Sequence, residues 1–368
     1  MVAGTARTTE RELAGLVRRC YAGLGADALR TEIAAGLRRL LAIDAAFVAT
    51  VDPATMLMTG VTTEDPLGAD ALRFLDNELR ASDVNTFTSL AAAADHVQSL
   101  DRATGGDRWA SARYAEIMAP LGLGDELRAA LVTGPHCWGV VCLHREDGPT
   151  GFAERELGLL RRLVPHLGEG LRRAVARELG AAVGPAEFGP GILVLSVEFD
   201  VVSATPAAQA WLAELSPDSW SVSTGLPVPV HSALAALRSA ADGRTVPARV
   251  HVRTASGRWL SVHADRLDGP TGSSQIAVLL EPAAPDELGS LFLRAHGLTP
   301  AQERVAAMVL RGLTTRQIAA ELFISANTVQ EHLTGVFDKV GVRSRRELAA
   351  TLLGAGRAHG AASPHPVR

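Results

Sequence analysis

The chain has 368 residues, of which 47% are hydrophobic and 21% are charged, a composition that excludes intrinsic disorder and predicts two or three folded domains. The net charge of −4 is uneven, because residues 296–357 carry eight Lys or Arg and five Asp or Glu, or +3, which leaves −7 on the remainder. The three cysteines have no zinc-ribbon or disulfide spacing, and no run of about 18 apolar residues occurs, so we expect a cytoplasmic protein with no membrane contact.

The first segment, residues 1–183, is predicted to begin with helices and to continue with two pairs of strands. The strand patterns lie at residues 46–51 and 56–61, and again at residues 126–132 and 137–143. Turn residues separate the members of each pair, so each pair is predicted to form a hairpin. A long amphipathic helix is then predicted from Ala153 to Arg177, with a kink at Pro165.

The order of these elements and one stretch of sequence resemble a GAF-type sensory domain. The stretch runs from Gly139 to Asp147 and continues in the helical segment from Phe152 to Leu160. The resemblance covers most of the first segment and implies a small sensory fold built on an antiparallel sheet.

A second segment, residues 187–283, lies between two predicted linkers. The linkers are residues 180–191, which contain two Gly-Pro pairs, and residues 281–286, which are rich in Pro and Ala. A strand pair near Ile192 and Val201 is followed by a helix that Thr205-Pro206 begins. Three further strands are predicted at residues 249–253, 259–263 and 275–280. This pattern resembles a PAS domain, which is another sensory fold.

The last segment, residues 290–357, is predicted to contain four short helices, and residues 358–368 a flexible tail. Three helix starts have a Ser or Thr followed three residues later by Gln or Glu, a pair that caps free backbone N–H groups. The pairs are Thr299 with Gln302, Thr314 with Gln317, and Ser344 with Glu347. Ser325 is predicted to cap the third helix, and Gly312 and Gly341 are predicted to end helices.

The third of these helices has two unlike faces. Its apolar stripe is predicted to pack on the earlier helices and consists of Val329, Leu333, Val336, Phe337 and Val340. The opposite, polar face carries Asn327, Gln330, Glu331 and Thr334. A polar face near the start of a capped helix can enter a DNA major groove, where base edges offer donors and acceptors.

These residues match a LuxR-type helix-turn-helix in register. The resemblance is carried by Leu298-Thr-Pro300, Gly312 to Leu322, Ile324-Ser325, Thr328 to Leu333 and Lys339 to Ser344. It implies a third helix that reads double-stranded DNA and a fourth that supports a homodimer. We expect base contacts from Asn327, Gln330, Glu331 and Thr334, and phosphate contacts from Thr315, Arg316, Thr328, Lys339, Arg343, Ser344 and Arg345. Family members often carry Lys or Arg at positions 330 and 334, so a lower electrostatic affinity is expected here.

Six side chains are candidates for the wall of a small-molecule pocket: Trp109, Tyr114, Trp138, Cys142, Trp211 and Trp259. Counting by two along one strand places His136, Trp138, Cys142 and His144 on one face. Four ligands along one strand span too great a length to converge on one ion, so no metal site is predicted. No cofactor is predicted, and the sequence leaves open whether a small-molecule effector binds.

The fold class predicted is multidomain α+β, with two antiparallel-sheet sensory domains, GAF-like and PAS-like, followed by an all-α four-helix helix-turn-helix domain. No enzyme is predicted, because the P-loop, nucleophile-elbow and HExxH patterns do not occur in the sequence. The predicted function is a DNA-binding transcriptional regulator controlled by an unknown ligand or partner, with RNA polymerase as a further candidate partner. The alternative is a sensory or scaffold protein whose C-terminal helices serve dimerisation without DNA binding.

Overall fold

The computed structural model describes residues 2–63, 71–79, 83–148, 150–181, 188–215, 225–241, 246–268 and 274–360. Within these ranges the chain forms two five-stranded antiparallel sheets followed by a group of helices, which confirms the predicted fold class. None of the helices in these ranges combines the length and hydrophobicity needed to cross a bilayer. Parts of the predicted linker at 180–191 and of the predicted tail at 358–368 lie outside the described residues.

The first sheet has the strand order β2-β1-β5-β4-β3, with antiparallel neighbours throughout. The elements of this part are α1 (Val2–Cys20), α2 (Ala26–Leu40), β1 (Ala45–Val51), β2 (Met58–Thr63), α3 (Ala71–Leu79), α4 (Phe87–Ala92), β3 (Val97–Ser99), α5 (Leu100–Thr104), β4 (Leu123–Thr133), β5 (His136–Glu146) and α6 (Glu154–Gly180). Both predicted hairpins are confirmed, because β1 pairs with β2 and β4 pairs with β5.

Helix α6 packs across one face of the first sheet, and its apolar residues are buried at the predicted spacing of three and four. The helix continues through Pro165 and ends three residues later than predicted, at Gly180. Its close approach to β4 depends on Gly168, since a Cβ there would lie only 2.9 Å from the carbonyl oxygen of Leu131.

A β-bulge in β5 changes which side chains share a face. Ala130 pairs with Val140 but Val132 pairs with Cys137, so β5 has one extra residue at this point. Trp138 consequently packs in the cluster that includes α6, whereas Cys142 packs in the cluster on the other side of the sheet. The prediction that Trp138 and Cys142 share a face is therefore wrong, because counting by two does not allow for a bulge.

The second sheet, with the order β7-β6-β10-β9-β8, repeats the connectivity of the first. Its elements are β6 (Gly191–Leu195), β7 (Val201–Ala204), α7 (Pro206–Glu214), α8 (Val228–Ala241), β8 (Arg249–Arg253), β9 (Trp259–Asp268) and β10 (Ser274–Pro282). Thr205 caps α7 as predicted, with its Oγ1 accepting a hydrogen bond from Ala208 N at 3.2 Å. Helix α8 packs on β9 and also on α3 and β2, so the cores of the two sheets are continuous.

Five helices complete the described chain: α9 (Pro285–Ala295), α10 (Pro300–Leu310), α11 (Thr315–Leu322), α12 (Ala326–Val340) and α13 (Arg345–Gly360). Most of the predicted linker at 281–286 instead belongs to regular elements, because β10 extends to Pro282 and Pro285 occupies the first turn of α9. Helix α9 packs against both α6 and α13. The predicted tail also starts later than expected, since residues 358–360 belong to α13.

Candidate nucleic-acid interface

The helix-turn-helix is built by the caps that the sequence predicted. Thr314 Oγ1 accepts a hydrogen bond from Gln317 N at 3.3 Å, and Gln317 Oε1 accepts one from Thr314 N at 2.9 Å. Ser325 Oγ accepts from Thr328 N at 3.0 Å and so begins α12. At the start of α13 the third pair differs from prediction, because Glu347 accepts from Arg343 N instead of Ser344 N.

The turn between α11 and α12 contains a residue that sequence reasoning missed. Phe323 has a left-handed φ of +55°, a conformation that is uncommon for a bulky residue. Its side chain is 95% exposed. The LuxR-like pattern places a turn here, but it does not indicate that an aromatic ring faces solvent beside the start of α12.

Helix α12 hides its apolar stripe and presents its polar face. Val329, Leu333 and Val336 are fully buried, and Ile318 of α11 is buried in the same cluster. Asn327, Gln330, Glu331 and Thr334 are all exposed. No described part of the chain covers this polar face.

Two hydrogen bonds order the polar face. Asn327 Nδ2 donates to Glu331 Oε1 at 2.9 Å, one helical turn further on. Thr334 Oγ1 donates to the carbonyl oxygen of Gln330 at 3.0 Å. Side chains fixed in this way lose less conformational entropy when they meet a partner.

Some of the residues expected to contact phosphates are exposed to solvent, and others form hydrogen bonds within the chain. Arg316 and Arg343 are exposed, and Thr328 lies half-buried in the first turn of α12. Arg345 donates to the Leu313 carbonyl oxygen at 2.9 Å and to Thr315 Oγ1 at 2.7 Å. These bonds bring two of the predicted residues together and tie α13 to the start of α11.

Two more of the expected phosphate ligands also have contacts within the chain. Lys339 Nζ donates to the Gly297 carbonyl oxygen at 2.8 Å and to Gln302 Oε1 at 2.9 Å. Ser344 Oγ accepts from Glu347 N at 3.1 Å as the cap of α13. A phosphate group would have to share or replace these contacts.

The six candidate pocket residues lie in several different parts of the structure. Tyr114 is buried among the helices that cover the first sheet. Its ring packs edge to face with the ring of Trp109, which is largely exposed. Trp211 lies in the core of the second sheet, where its Nε1 donates to the Gly189 carbonyl oxygen at 2.9 Å. Cys142 is buried beneath the first sheet. Trp138 and Trp259 line a shared cavity where the two sheets and α9 meet.

A cluster of ion pairs links the first sheet, the second sheet and α9 at this junction. His251 of β8 lies with its Nδ1 2.9 Å from Asp52 Oδ2, and its Nε2 3.5 Å from Glu287 Oε2 on α9. Burial alone would lower the pKa of His251, but the carboxylates of Asp52 and Glu287 outweigh it and raise that pKa to about 9. The imidazole is therefore charged at neutral pH.

Among the residues that the structure describes, Glu126, Cys142 and His144 form the group whose donor atoms come close enough to hold a metal ion, within 4.8 Å of one another. Sequence reasoning missed Glu126, which pairs with His144 from the neighbouring strand. Arg113 donates to Glu126 Oε2 at 2.6 Å, and Arg128 Nε lies 3.8 Å from Glu126 Oε1. Two guanidinium groups this close oppose a bound cation, so the arrangement favours a buried hydrogen-bonded network.

The same arginines control the ionisation of the network. Burial would raise the pKa of Glu126, but Arg113 and Arg128 hold it at about 2. Arg128 also bonds Glu78 and lies over the ring of Phe87, 3.7 Å from its centroid. These side chains occupy the space between the first sheet and the helices that cover it.

The family model described as "Bacterial regulatory proteins, luxR family" matches residues 296–352. An HTH-type transcriptional regulator of Mycobacterium bovis is 47% identical over 51 residues, which are 14% of this chain and 6% of that protein. The chain thus spans only a small part of this mycobacterial relative.

Solved structures align with longer parts of the chain at low similarity. A GAF domain from an Acinetobacter phosphoenolpyruvate-protein phosphotransferase aligns over 46% of this chain and 95% of its own, with 13% identity and a TM-score of 0.33. Escherichia coli SdiA aligns over 93% of this chain and 97% of its own, with 12% identity and a TM-score of 0.34.

The spore germination protein GerE of Bacillus subtilis is 37% identical over 59 residues, which are 16% of this chain and 80% of GerE. The residues matched by the family model, 296–352, carry α10 to α12, their caps and the first half of α13. This chain therefore belongs to the luxR family of bacterial regulatory proteins.

Proposed function

We propose that this chain is a transcriptional regulator that reads double-stranded DNA with the polar face of α12. The observation that carries the proposal is that Asn327, Gln330, Glu331 and Thr334 are exposed together on a helix whose opposite face is buried. Amide side chains suit adenine, and a carboxylate can accept a hydrogen bond from cytosine N4. The family membership of α10 to α13 supports this role.

Arg316 and Arg343 are the phosphate ligands that the geometry favours most, since both are exposed. Thr328, Thr315, Lys339, Ser344 and Arg345 complete the proposed phosphate set. Two copies of the chain would present two recognition helices to a two-fold DNA site, as homodimeric helix-turn-helix proteins do. RNA polymerase is the further partner that transcriptional control implies.

The two sheet domains, GAF-like and PAS-like in our reading, are proposed to control the DNA-binding helices in response to a ligand or partner. Helix α9 supports this role because it packs on α6 of the first domain and on α13 of the DNA-binding domain. A change in the packing of either sheet can therefore reach α13 through a single rigid element.

The test begins with the full chain and a library of random DNA duplexes. We expect the chain to enrich a two-fold sequence motif. Simultaneous replacement of Gln330, Glu331 and Thr334 by Ala should lower the preference for that motif over random DNA about tenfold or more, because each good base contact contributes about 1–3 kcal/mol. Ser290→Ala, an exposed substitution on α9, is the control and should leave the preference unchanged.

Unchanged sequence preference in the triple variant would refute base reading by α12. Absence of any salt-sensitive association between the folded wild-type chain and DNA would favour the alternative, in which the C-terminal helices serve dimerisation only.

Removal of a phosphate contact has a different expected signature. Arg343→Ala should weaken binding to all duplexes alike and lower the slope of log affinity against log salt by about one. Fluorescence anisotropy at several salt concentrations measures both quantities. Loss of motif preference with an unchanged salt slope would instead assign Arg343 to the base-reading face.

A further inference from the structure

The turn between α11 and α12 has a bulky residue at a position where neighbouring turns have glycine. Between residues 296 and 352 the left-handed positions are Gly297, Gly312, Gly341 and Phe323, with φ values of +71°, +83°, +76° and +55°. A left-handed residue brings its Cβ close to the following carbonyl oxygen, so glycine is preferred there. Phe323 therefore lowers the stability of this turn.

Packing of the Phe323 ring does not offset this loss. Leu322 and Ile324, on either side of it, are half-buried and pack against the core cluster. The side chain of Phe323, in contrast, is 95% exposed. A residue that departs from the local backbone preference without a gain in packing is expected where the side chain has a function.

Phe323 lies next to the start of the proposed recognition helix. It is two residues before Ser325, whose Oγ caps α12 by accepting a hydrogen bond from Thr328 N at 3.0 Å. It is four residues before Asn327, the first residue of the proposed base-reading face. Helix-turn-helix proteins bring the first residues of the recognition helix to the base edges. An exposed side chain in the preceding turn therefore comes close to the same groove.

The chemistry of the base-reading face indicates what an aromatic ring would add to it. Asn327, Gln330 and Thr334 are uncharged and Glu331 is acidic, so this face itself gains no electrostatic affinity for a duplex. The major groove also presents an apolar group, the C5-methyl of thymine, and phenylalanine is among the side chains that contact it. Such a contact would add affinity and sequence preference without adding charge.

We propose that Phe323 contacts the C5-methyl group of a thymine at the edge of the sequence that α12 reads. This inference rests on the proposed function and deepens it, because it adds an apolar base contact to the polar contacts of α12. It also accounts for a strained phenylalanine in a turn that suits glycine, since the ring contributes to binding instead of folding.

The first part of the test measures the stability of the full chain without DNA. Phe323→Gly removes the left-handed strain and an exposed ring, so it should raise the thermal unfolding temperature by about 2–4 °C. Phe323→Leu keeps both the strain and an apolar side chain, so its unfolding temperature should match that of the wild type. A lower unfolding temperature for Phe323→Gly than for the wild type would mean that the ring packs on the protein in solution, and would overturn the proposal.

The second part measures affinity for the DNA motif that the wild-type chain enriches. Phe323→Gly should weaken binding about tenfold, because the ring no longer buries apolar surface against the duplex. The slope of log affinity against log salt should stay unchanged, because no charge is lost. Phe323→Leu should lose less affinity than Phe323→Gly. Trp109→Ala, which removes an exposed aromatic ring in the first sheet domain, is the control and should leave affinity unchanged.

Uracil substitution tests the methyl contact directly. Uracil lacks the C5-methyl group of thymine and keeps its hydrogen-bonding groups, so uracil is placed at one thymine position of the motif at a time, in both half-sites. At one position the replacement should weaken wild-type binding about fourfold or more, the effect of one buried methyl group. The same replacement should leave the affinity of Phe323→Gly unchanged, because the ring that contacts the methyl group is absent.

Equal DNA affinity in the wild type and Phe323→Gly would overturn this inference and leave the proposed function standing. A loss of affinity in Phe323→Gly without any uracil-sensitive thymine in the wild type would also overturn it, because the ring would then contact another part of the duplex. Absence of DNA binding by the folded wild-type chain would overturn the proposed function and this inference together.

Discussion

Side-chain ion pairs stabilise the junction between the two sheets, and those of His251 make its contribution to stability dependent on pH. Its imidazole lies between Asp52, which follows β1, and Glu287 on α9. These contacts raise its pKa from 6.5 to about 9 in the folded chain. Folding therefore binds a proton here, and the ion pair stabilises the fold fully below about pH 6.5 and loses its effect as pH rises through about 9.

Replacing His251 by Gln should lower the free energy of unfolding most at and below about pH 6.5. The difference from wild type should shrink by about 3 kcal/mol as the pH is raised to about 9, which is the linkage value of the pKa shift. Denaturant unfolding at a series of pH values measures this difference. His263→Gln on the adjacent strand is the control, and a loss that does not vary with pH in His251→Gln would contradict a charged imidazole at the junction.

At the scale of elements, the first sheet, α1 and α9 all pack on α6. Neighbouring elements approach α6 most closely at some of its glycines. A Cβ at Gly168 would lie 2.9 Å from the Leu131 carbonyl oxygen, whereas a Cβ at Gly158 meets nothing within 4 Å. Both residues lie in the same helix with helical backbone, so they form a matched pair.

Gly168→Ala should destabilise the chain by about 1–3 kcal/mol, because backbone atoms of β4 cannot move aside easily. Gly158→Ala should stabilise it by about 0.5–1 kcal/mol through helix propensity alone. Thermal and denaturant unfolding compare the two variants. Equal effects of the same sign would mean that α6 does not contact β4 as closely in solution.

The elements show which parts of the molecule local sequence can predict. The caps at Thr314 and Ser325 and the polar face from Asn327 to Thr334 depend on residues only a few positions apart, so spacing was enough to predict them. The cavity wall depends on Arg30, Trp138 and Trp259, which tertiary packing brings together from distant parts of the chain. The bulge in β5 moved Trp138 away from Cys142, and no pattern of alternation indicates where an extra residue enters a strand.

At the scale of the whole molecule, the luxR-type helices α10 to α13 are attached to the first sheet domain by more than α9. His136 Nε2, at the turn between β4 and β5, lies 2.7 Å from Glu303 Oε1 in the first turn of α10. Arg172 of α6 donates to the Ala295 carbonyl oxygen at the end of α9. The distance between two recognition helices in a dimer would therefore depend on how firmly these contacts hold.

A double-mutant cycle on His136 and Glu303 tests whether this attachment persists in solution. Each alanine substitution alone removes the hydrogen bond, so the double variant should be less destabilised than the sum of the two, with a coupling energy of about 1 kcal/mol. Both side chains are mostly buried, at 13% and 19% exposure, so solvent screening should not abolish the coupling. Glu303 also lies in the first turn of α10, where its negative charge interacts favourably with the helix dipole. Both variants that replace Glu303 lose this interaction, so it cancels in the cycle. Additive losses would mean that helices α10 to α13 separate from the first sheet domain in the free protein, and the proposed control by that domain would then have to act through α9 alone.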